Sequence, residues 1–159
     1  FCTFNKNNIM KLKRELLNGF IIFIGIGIYF IFMELLGLSD EFYLRIFNLF
    51  IVAFGVNLTL KQNVKNGVHG YFKNLISGIL TSFIGAVLSV GGLYLYIKFK
   101  GGKEYLKSLS ENFLFGGGDI NATQYSIAIL FESIASSVVI SFILMQYWKN
   151  KVETINKVD

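Results

Sequence analysis

The stretch LISGILTSFIGAVLSVGGLYLYI, residues 75–97, decides the fold because it contains no charged side chain. A helix rises about 1.5 Å per residue, so a run of about 20 apolar residues crosses the hydrocarbon core of a bilayer. A helix on the surface of a soluble domain would carry polar or charged side chains along its wet face. Residues 75–97 therefore predict a membrane-spanning helix.

Three further apolar stretches repeat this pattern, and the four predicted spans lie at about 16–38, 42–60, 71–97 and 122–147. The connection between the first two spans is short, so these helices must be antiparallel neighbours. The sequence predicts an all-α, polytopic membrane protein whose four transmembrane helices form two antiparallel hairpins. The membrane domain covers residues 16–148, between tails at 1–15 and 149–159.

The segment 103–115 between the third and fourth spans has apolar residues at helical spacing, namely Tyr105, Leu106, Leu109 and Phe113. This pattern predicts a short amphipathic helix that lies flat in the outer membrane interface. A loop that packs the same side chains onto the bundle is the open alternative. Asn121 and Gln124 then predict a capping box at the start of the fourth span.

The 15 Lys and Arg residues predict the orientation, because positive charge concentrates in cytoplasmic segments of membrane proteins. Most of them lie in the amino-terminal tail, in the loop between the second and third spans, and in the carboxyl-terminal tail. Both termini are therefore predicted in the cytoplasm. Met10 directly precedes a basic cluster and an apolar run, so we interpret it as the true start, with residues 1–9 upstream of it.

Composition bounds the possible functions. The chain has one cysteine and one histidine, so an intrachain disulfide and haem held between two histidines are excluded, a zinc or iron site is not expected, and no cofactor is predicted. Membrane topology explains the net charge of +5, so no nucleic-acid partner is predicted. The serines lack a neighbouring base, so no enzyme is predicted. The expected partner is the lipid bilayer, with a homo-oligomer or a membrane-complex partner left open.

Small residues at four-residue spacing predict a packing seam, because helices in lipid associate through close approach of their backbones. The seam joins the third span to the fourth and comprises Gly78, Ser82, Gly85, Ser89, Ser133, Ser137 and Ser141. Its functional interpretation is a polar groove of hydroxyl groups, and its structural interpretation is ordinary helix packing. The first span is rich in Phe and Ile, and we predict that its Ile22 faces lipid.

Three ionisable residues fall within or just inside the predicted spans, and they form the candidate intramembrane site: Glu34, Arg45 and Glu132. Charges inside a membrane are costly and are often functional. A pair of Arg45 with Glu132 or with Glu34 would offset part of the desolvation cost of both groups, and the alternative is that Glu34 and Arg45 extend to the outer interface. Two interpretations of Glu132 stay open: it carries protons or selects ions, or it hydrogen-bonds to neighbouring serines.

A polar loop leads through Gly70-Tyr71-Phe72-Lys73 into a Gly- and Ser-rich third span, and Phe131-Glu132 falls early in the fourth. In this order, residues 11–151 resemble a large bacterial family of small four-span membrane proteins known only as a domain of unknown function. Members of that family often have proline near the glutamate, whereas this chain has no proline. The resemblance implies no activity.

These observations together predict a multi-pass protein of the bacterial inner membrane without intrinsic catalysis, acting as an accessory, structural or regulatory component. The alternative is a small oligomeric transporter or channel that uses the membrane-embedded Glu132.

Overall fold

The computed structural model describes residues 6–39, 42–110 and 121–152, and these residues form helices with no strand among them. Within these ranges, five α-helices and one short 3-10 turn follow one another: α1 (Lys6–Leu35), the turn Phe42–Arg45, α2 (Ile46–Lys65), α3 (Tyr71–Phe99), α4 (Lys103–Ser110) and α5 (Ala122–Val152). The all-α class predicted from the sequence is confirmed.

Three of these helices are long and apolar enough to cross a membrane: residues 11–35 of α1, all of α3 and all of α5. The chain therefore has the character of a multi-pass membrane protein. Helix α2 is outside this set. It has 20 residues, its apolar run is interrupted by Asn48 and Asn57, and its last turn is polar and basic.

The long helices pack around α3, which contacts α1, α2 and α5. Contacts run in opposite order along α1 and α2, because Asn18 bonds to Thr59 whereas Tyr29, later in α1, bonds to Leu44. Helices α1 and α3 contact each other in the same order, from Glu15 with Ser77 to Glu34 with Lys100.

Glycines allow α1, α2 and α3 to approach one another around Ile22, whose side chain is 0% exposed. A Cβ atom built on Gly85 would lie 2.7 Å from Cγ2 of Ile22, and one built on Gly55 would also overlap this side chain. The prediction that Ile22 faces lipid is therefore wrong. An apolar composition does not distinguish a lipid-facing position from one that fits between the glycines of neighbouring helices.

Helix α4 is the short helix predicted in the loop between α3 and α5, although residues 111–115 of the predicted segment lie outside the described ranges. Its Leu106 is buried against Ile97 and Tyr125, so the apolar face of α4 also packs onto the bundle. The predicted capping box is confirmed. The backbone N–H of Gln124 donates to Oδ1 of Asn121 at 2.9 Å, and the N–H of Asn121 donates to Oε1 of Gln124 at 3.1 Å.

Candidate functional site

Two polar regions lie inside the bundle, one in each half. The first, near the start of α1, is a set of hydrogen-bonded side chains that we call the buried network: Glu15, Asn18, Thr59, Asn63, Ser77 and Thr81. All six residues are buried, and they come from α1, α2 and α3.

The groups of the buried network bond mainly to one another. Oγ of Ser77 donates to Oε1 of Glu15 at 2.5 Å, and Nδ2 of Asn63 donates to Oγ of Ser77 at 2.9 Å. Nζ of Lys11 lies 4.0 Å from the same carboxylate oxygen, so the charge of Glu15 has a nearby counter-charge.

A second branch of the network ties the same three helices together one turn further along. Nδ2 of Asn18 donates to Oγ1 of Thr59 at 2.8 Å, and the hydroxyl oxygens of Thr59 and Thr81 are 3.0 Å apart. Sequence reasoning missed this network because it placed Glu15 in the tail. The available signal was polar residues at helical spacing on each helix, such as Thr59 with Asn63 and Ser77 with Thr81.

The second polar region is a cavity of about 330 Å³ in the other half of the bundle, which we call the bundle cavity. Residues of α1, α2, α3 and α5 line it, together with Arg45 and the residues just before it. Most of the wall is apolar, and it contains five aromatic rings: Phe23, Tyr29, Phe30, Tyr96 and Tyr125. The charged side chains in the wall are Arg45 and Glu132.

Arg45 occupies one end of the bundle cavity and bonds to Tyr125. Its Nη2 donates to the phenolic oxygen of Tyr125 at 2.6 Å, and its Cζ lies 5.8 Å from the centre of the same ring. Because Arg45 directly precedes α2 and Tyr125 lies in the first turn of α5, this contact fixes the start of one helix against the start of the other.

Glu132 lies seven residues after Tyr125 on α5, which places it about two turns away on the same helix face. Its side chain is exposed, and within the described ranges no hydrogen bond or ion pair reaches its carboxylate. A carboxylate in an apolar membrane environment costs about 2.5–3.5 kcal/mol on insertion scales. Glu132 is therefore the charged group of the bundle cavity that is available to a partner from outside the fold.

The structure thus brings Arg45 and Glu132 to one cavity without joining them in an ion pair, and it places Glu34 elsewhere. Glu34 forms an ion pair with Lys100, and the hydroxyl of Tyr105 donates to its Oε2 at 2.9 Å. This cluster joins the end of α1 to the end of α3 and to α4. The hydrogen bond to Glu34 raises the pKa of Lys100. Burial, and then the bond to Glu34, raises the pKa of Tyr105.

The residues of the predicted packing seam do not all contact the same neighbouring helix. A Cβ atom on Gly78 would lie 3.4 Å from Oγ of Ser141, so this part of α3 does face α5, whereas Gly85 faces Ile22 of α1. Ser82 bonds back to the carbonyl of Gly78 in its own helix at 3.0 Å. The remaining seam residues, which are Ser89, Ser133 and Ser137, line the bundle cavity.

Comparisons with family models, with curated proteins and with solved structures found no match to this chain.

Proposed function

We propose that the chain is a small four-span protein of the bacterial inner membrane without intrinsic catalysis, and that it acts as an accessory, structural or regulatory component by binding a guest molecule inside its bundle. In this proposal α2 is the fourth span, and α1 with α2 and α3 with α5 form the two antiparallel hairpins. The polar residues of α2 support its assignment as a span, because they turn inward. Thr59 and Asn63 join the buried network, and Asn57 accepts a hydrogen bond from Nε1 of Trp148 at 2.8 Å.

The contacts between the ends of the helices support a cytoplasmic location for both termini. Arg14 bonds to the carbonyl of Gln62 at 3.2 Å, and the N–H of Gly70 bonds to the carbonyl of Val152 at 2.9 Å. The described parts of the three basic segments therefore lie at one end of the bundle, and the positive-inside rule favours the cytoplasm for this end. Cysteines introduced at Asn66 and Glu104 test this orientation. A membrane-impermeant thiol reagent added outside should label position 104, and labelling of position 66 alone would contradict the proposal.

The bundle cavity is the main observation that supports a binding function. Its volume of about 330 Å³ lies within the range of about 300–1,000 Å³ that is usual for small-molecule sites. Its wall combines a majority of apolar side chains with a few polar groups, which is the usual composition of such sites. In the buried network, by contrast, most polar groups bond to one another, although Oδ1 of Asn63 has no hydrogen-bond partner in the described part of the chain.

A photoreactive residue placed in the cavity wall tests whether a guest is bound. We would introduce a small diazirine side chain at Ser136, which lines the bundle cavity, and at Val139, which is 57% exposed on the same helix. Irradiation in native membranes should give a discrete adduct mass at Ser136 and a mixture of bulk lipids at Val139. The same lipid mixture at both positions would contradict a selective guest.

A small oligomeric transporter or channel is the second candidate, and one observation favours it. On α1, Ile22 follows Asn18 of the buried network by four residues and directly precedes Phe23 of the cavity wall, so the two regions are neighbours along this helix. A membrane carboxylate such as Glu132 is a common element of ion and proton pathways. A pH-dependent flux in proteoliposomes that Glu132→Gln abolishes would favour transport over the accessory role. The absence of any flux would leave the accessory role in place.

A further inference from the structure

We infer that the bundle cavity binds a small lipophilic organic cation, with Glu132 as its counter-ion. This inference rests on the proposed binding function and names the chemical class of the guest. It follows from the charges in the cavity wall, from the aromatic rings of the same wall and from the exposure of Glu132 on the outer surface of α5.

The charges of the cavity wall favour a cationic guest. Arg45 already donates to the phenolic oxygen of Tyr125 at 2.6 Å, so part of its donor capacity is used within the fold. Glu132 lines the same cavity, and no hydrogen bond or ion pair from the described part of the chain reaches its carboxylate. A cation beside Glu132 would supply the ion-pair partner that no described residue provides.

The aromatic residues of the wall supply a second means of recognising positive charge, because the face of an aromatic ring attracts cations. Phe23 and Phe30 of α1 line the bundle cavity, and the ring of Phe30 meets that of Tyr96 edge-on at 5.5 Å. Rings of the same wall already attract cations of the fold. Nζ of Lys100 lies 5.7 Å from the centre of the Tyr96 ring.

The same wall disfavours an inorganic metal ion. Hard cations such as Mg²⁺ and Ca²⁺ are held by several oxygen ligands, whereas most of this wall is hydrocarbon. Over the described ranges, no three His, Cys, Asp or Glu side chains are grouped closely enough to hold a metal ion. An organic cation requires fewer polar contacts, because its own carbon groups fill apolar space.

The position of Glu132 also indicates how the guest enters. Glu132 is exposed beside Phe131, whose side chain is 70% exposed on the apolar outer surface of α5. The carboxylate therefore lies at a mouth of the cavity that faces the bilayer, within a helix long and apolar enough to span it. A guest that reaches this mouth must first partition into lipid, so it must be lipophilic as well as cationic.

Equilibrium binding of radiolabelled benzyltrimethylammonium to the purified full-length chain in detergent tests the inference. We expect saturable binding, with at least tenfold weaker competition from neopentylbenzene, which has the same shape but no charge. Glu132→Gln should weaken binding at least tenfold, and Glu132→Asp should weaken it less because it keeps the charge. Phe30→Leu should weaken binding severalfold. Glu104→Gln, a change on α4 outside the cavity, should have no effect.

Three results would overturn the inference: no saturable binding to the wild type, equal affinity in Glu132→Gln, or tighter binding of the anion benzenesulfonate. If Glu132→Gln fails to fold, two other measurements test the inference: cation binding by Glu132→Asp, and competition by neopentylbenzene for the wild-type site. A discrete photo-adduct at Ser136 combined with no cation binding would reject the cation while leaving the proposed binding function intact.

Discussion

In the half of the bundle where α1 begins, Ser77 and Glu15 bond to each other, whereas in the other half Ser137 and Glu132 line a cavity. The same residue types therefore hold the fold together in one half and are left facing open space in the other. The glycines show the same difference. A Cβ on Gly19, Gly55 or Gly85 would meet a neighbouring helix within 3 Å, whereas a Cβ on Gly27, which lines the cavity, would meet nothing within 4 Å.

This difference shows that burial of a polar residue is not by itself evidence of a site. Serine and glutamate in the buried network stabilise the contact of α1 with α3, because their donors and acceptors match. In the bundle cavity Ser137 and Glu132 line open space, which a guest would fill in the proposed function. We therefore assign the proposed binding function to the half of the bundle that contains the cavity, where packing is less complete.

The largest loss of stability is expected from Gly85→Leu. Gly91→Leu, on the same helix, is its control. Gly85→Leu would force a side chain into the space of Ile22 and into the carbonyl oxygen of Gly19, which is 3.2 Å from an added Cβ. Overpacking of this kind costs about 1–3 kcal/mol and occasionally more. Gly91→Leu meets open space and should be nearly silent. Thermal unfolding in detergent measures both, and equal losses would contradict the role of the contact between Gly85 and Ile22 in holding the helices together.

An intermediate loss of stability is expected from Ser77→Ala. Ser137→Ala is its control, because both serines are buried. Ser77→Ala leaves the carboxylate of Glu15 and the amide of Asn63 without their shared partner, and an unsatisfied buried group costs about 1–3 kcal/mol. Ser137→Ala should change stability by less than about 0.5 kcal/mol, because its side chain borders the bundle cavity. A larger loss for Ser137→Ala would mean that the cavity wall, and not the network, holds the helices.

The smallest effect is expected at the Glu34 cluster, which lies outside both polar regions. Lys100→Met removes the ion pair, but the side chain of Lys100 is 50% exposed, and ion pairs at the surface contribute little to stability. The unfolding temperature should barely change, while amide hydrogen exchange in α4 should become faster because Glu34 also anchors Tyr105. Lys103→Met is the matched control and should leave exchange in α4 unchanged. A large loss of global stability for Lys100→Met would place part of the core at this end.

Local sequence patterns predicted the helices, whereas the contacts between helices could not be predicted from such patterns. The capping box at Asn121 and Gln124 depends on residues three positions apart, so the sequence contains it completely. The partner of Glu34 depends on α1 and α3 running side by side in the same direction, and no local pattern encodes that arrangement.

Glu15 is a second residue whose contacts could not be predicted from its neighbours in the sequence. It lies beside Lys11, Lys13 and Arg14, and this basic cluster is typical of an exposed tail, yet its carboxylate is buried against α3. The depth of α1 in the bundle is set by Ile22 between two glycines, a fit that becomes visible only when three helices are assembled.

The most direct test of the central claim is the unfolding temperature of Glu15→Leu and Glu132→Leu, each with and without saturating benzyltrimethylammonium. If the buried network holds the fold and the bundle cavity holds the guest, Glu15→Leu lowers the unfolding temperature but keeps the rise that the cation produces. Glu132→Leu then unfolds at or above the wild-type temperature and loses that rise, because a cationic guest stabilises only a protein that binds it. A cation-dependent rise that survives in Glu132→Leu, or that disappears equally in both variants, would contradict the account.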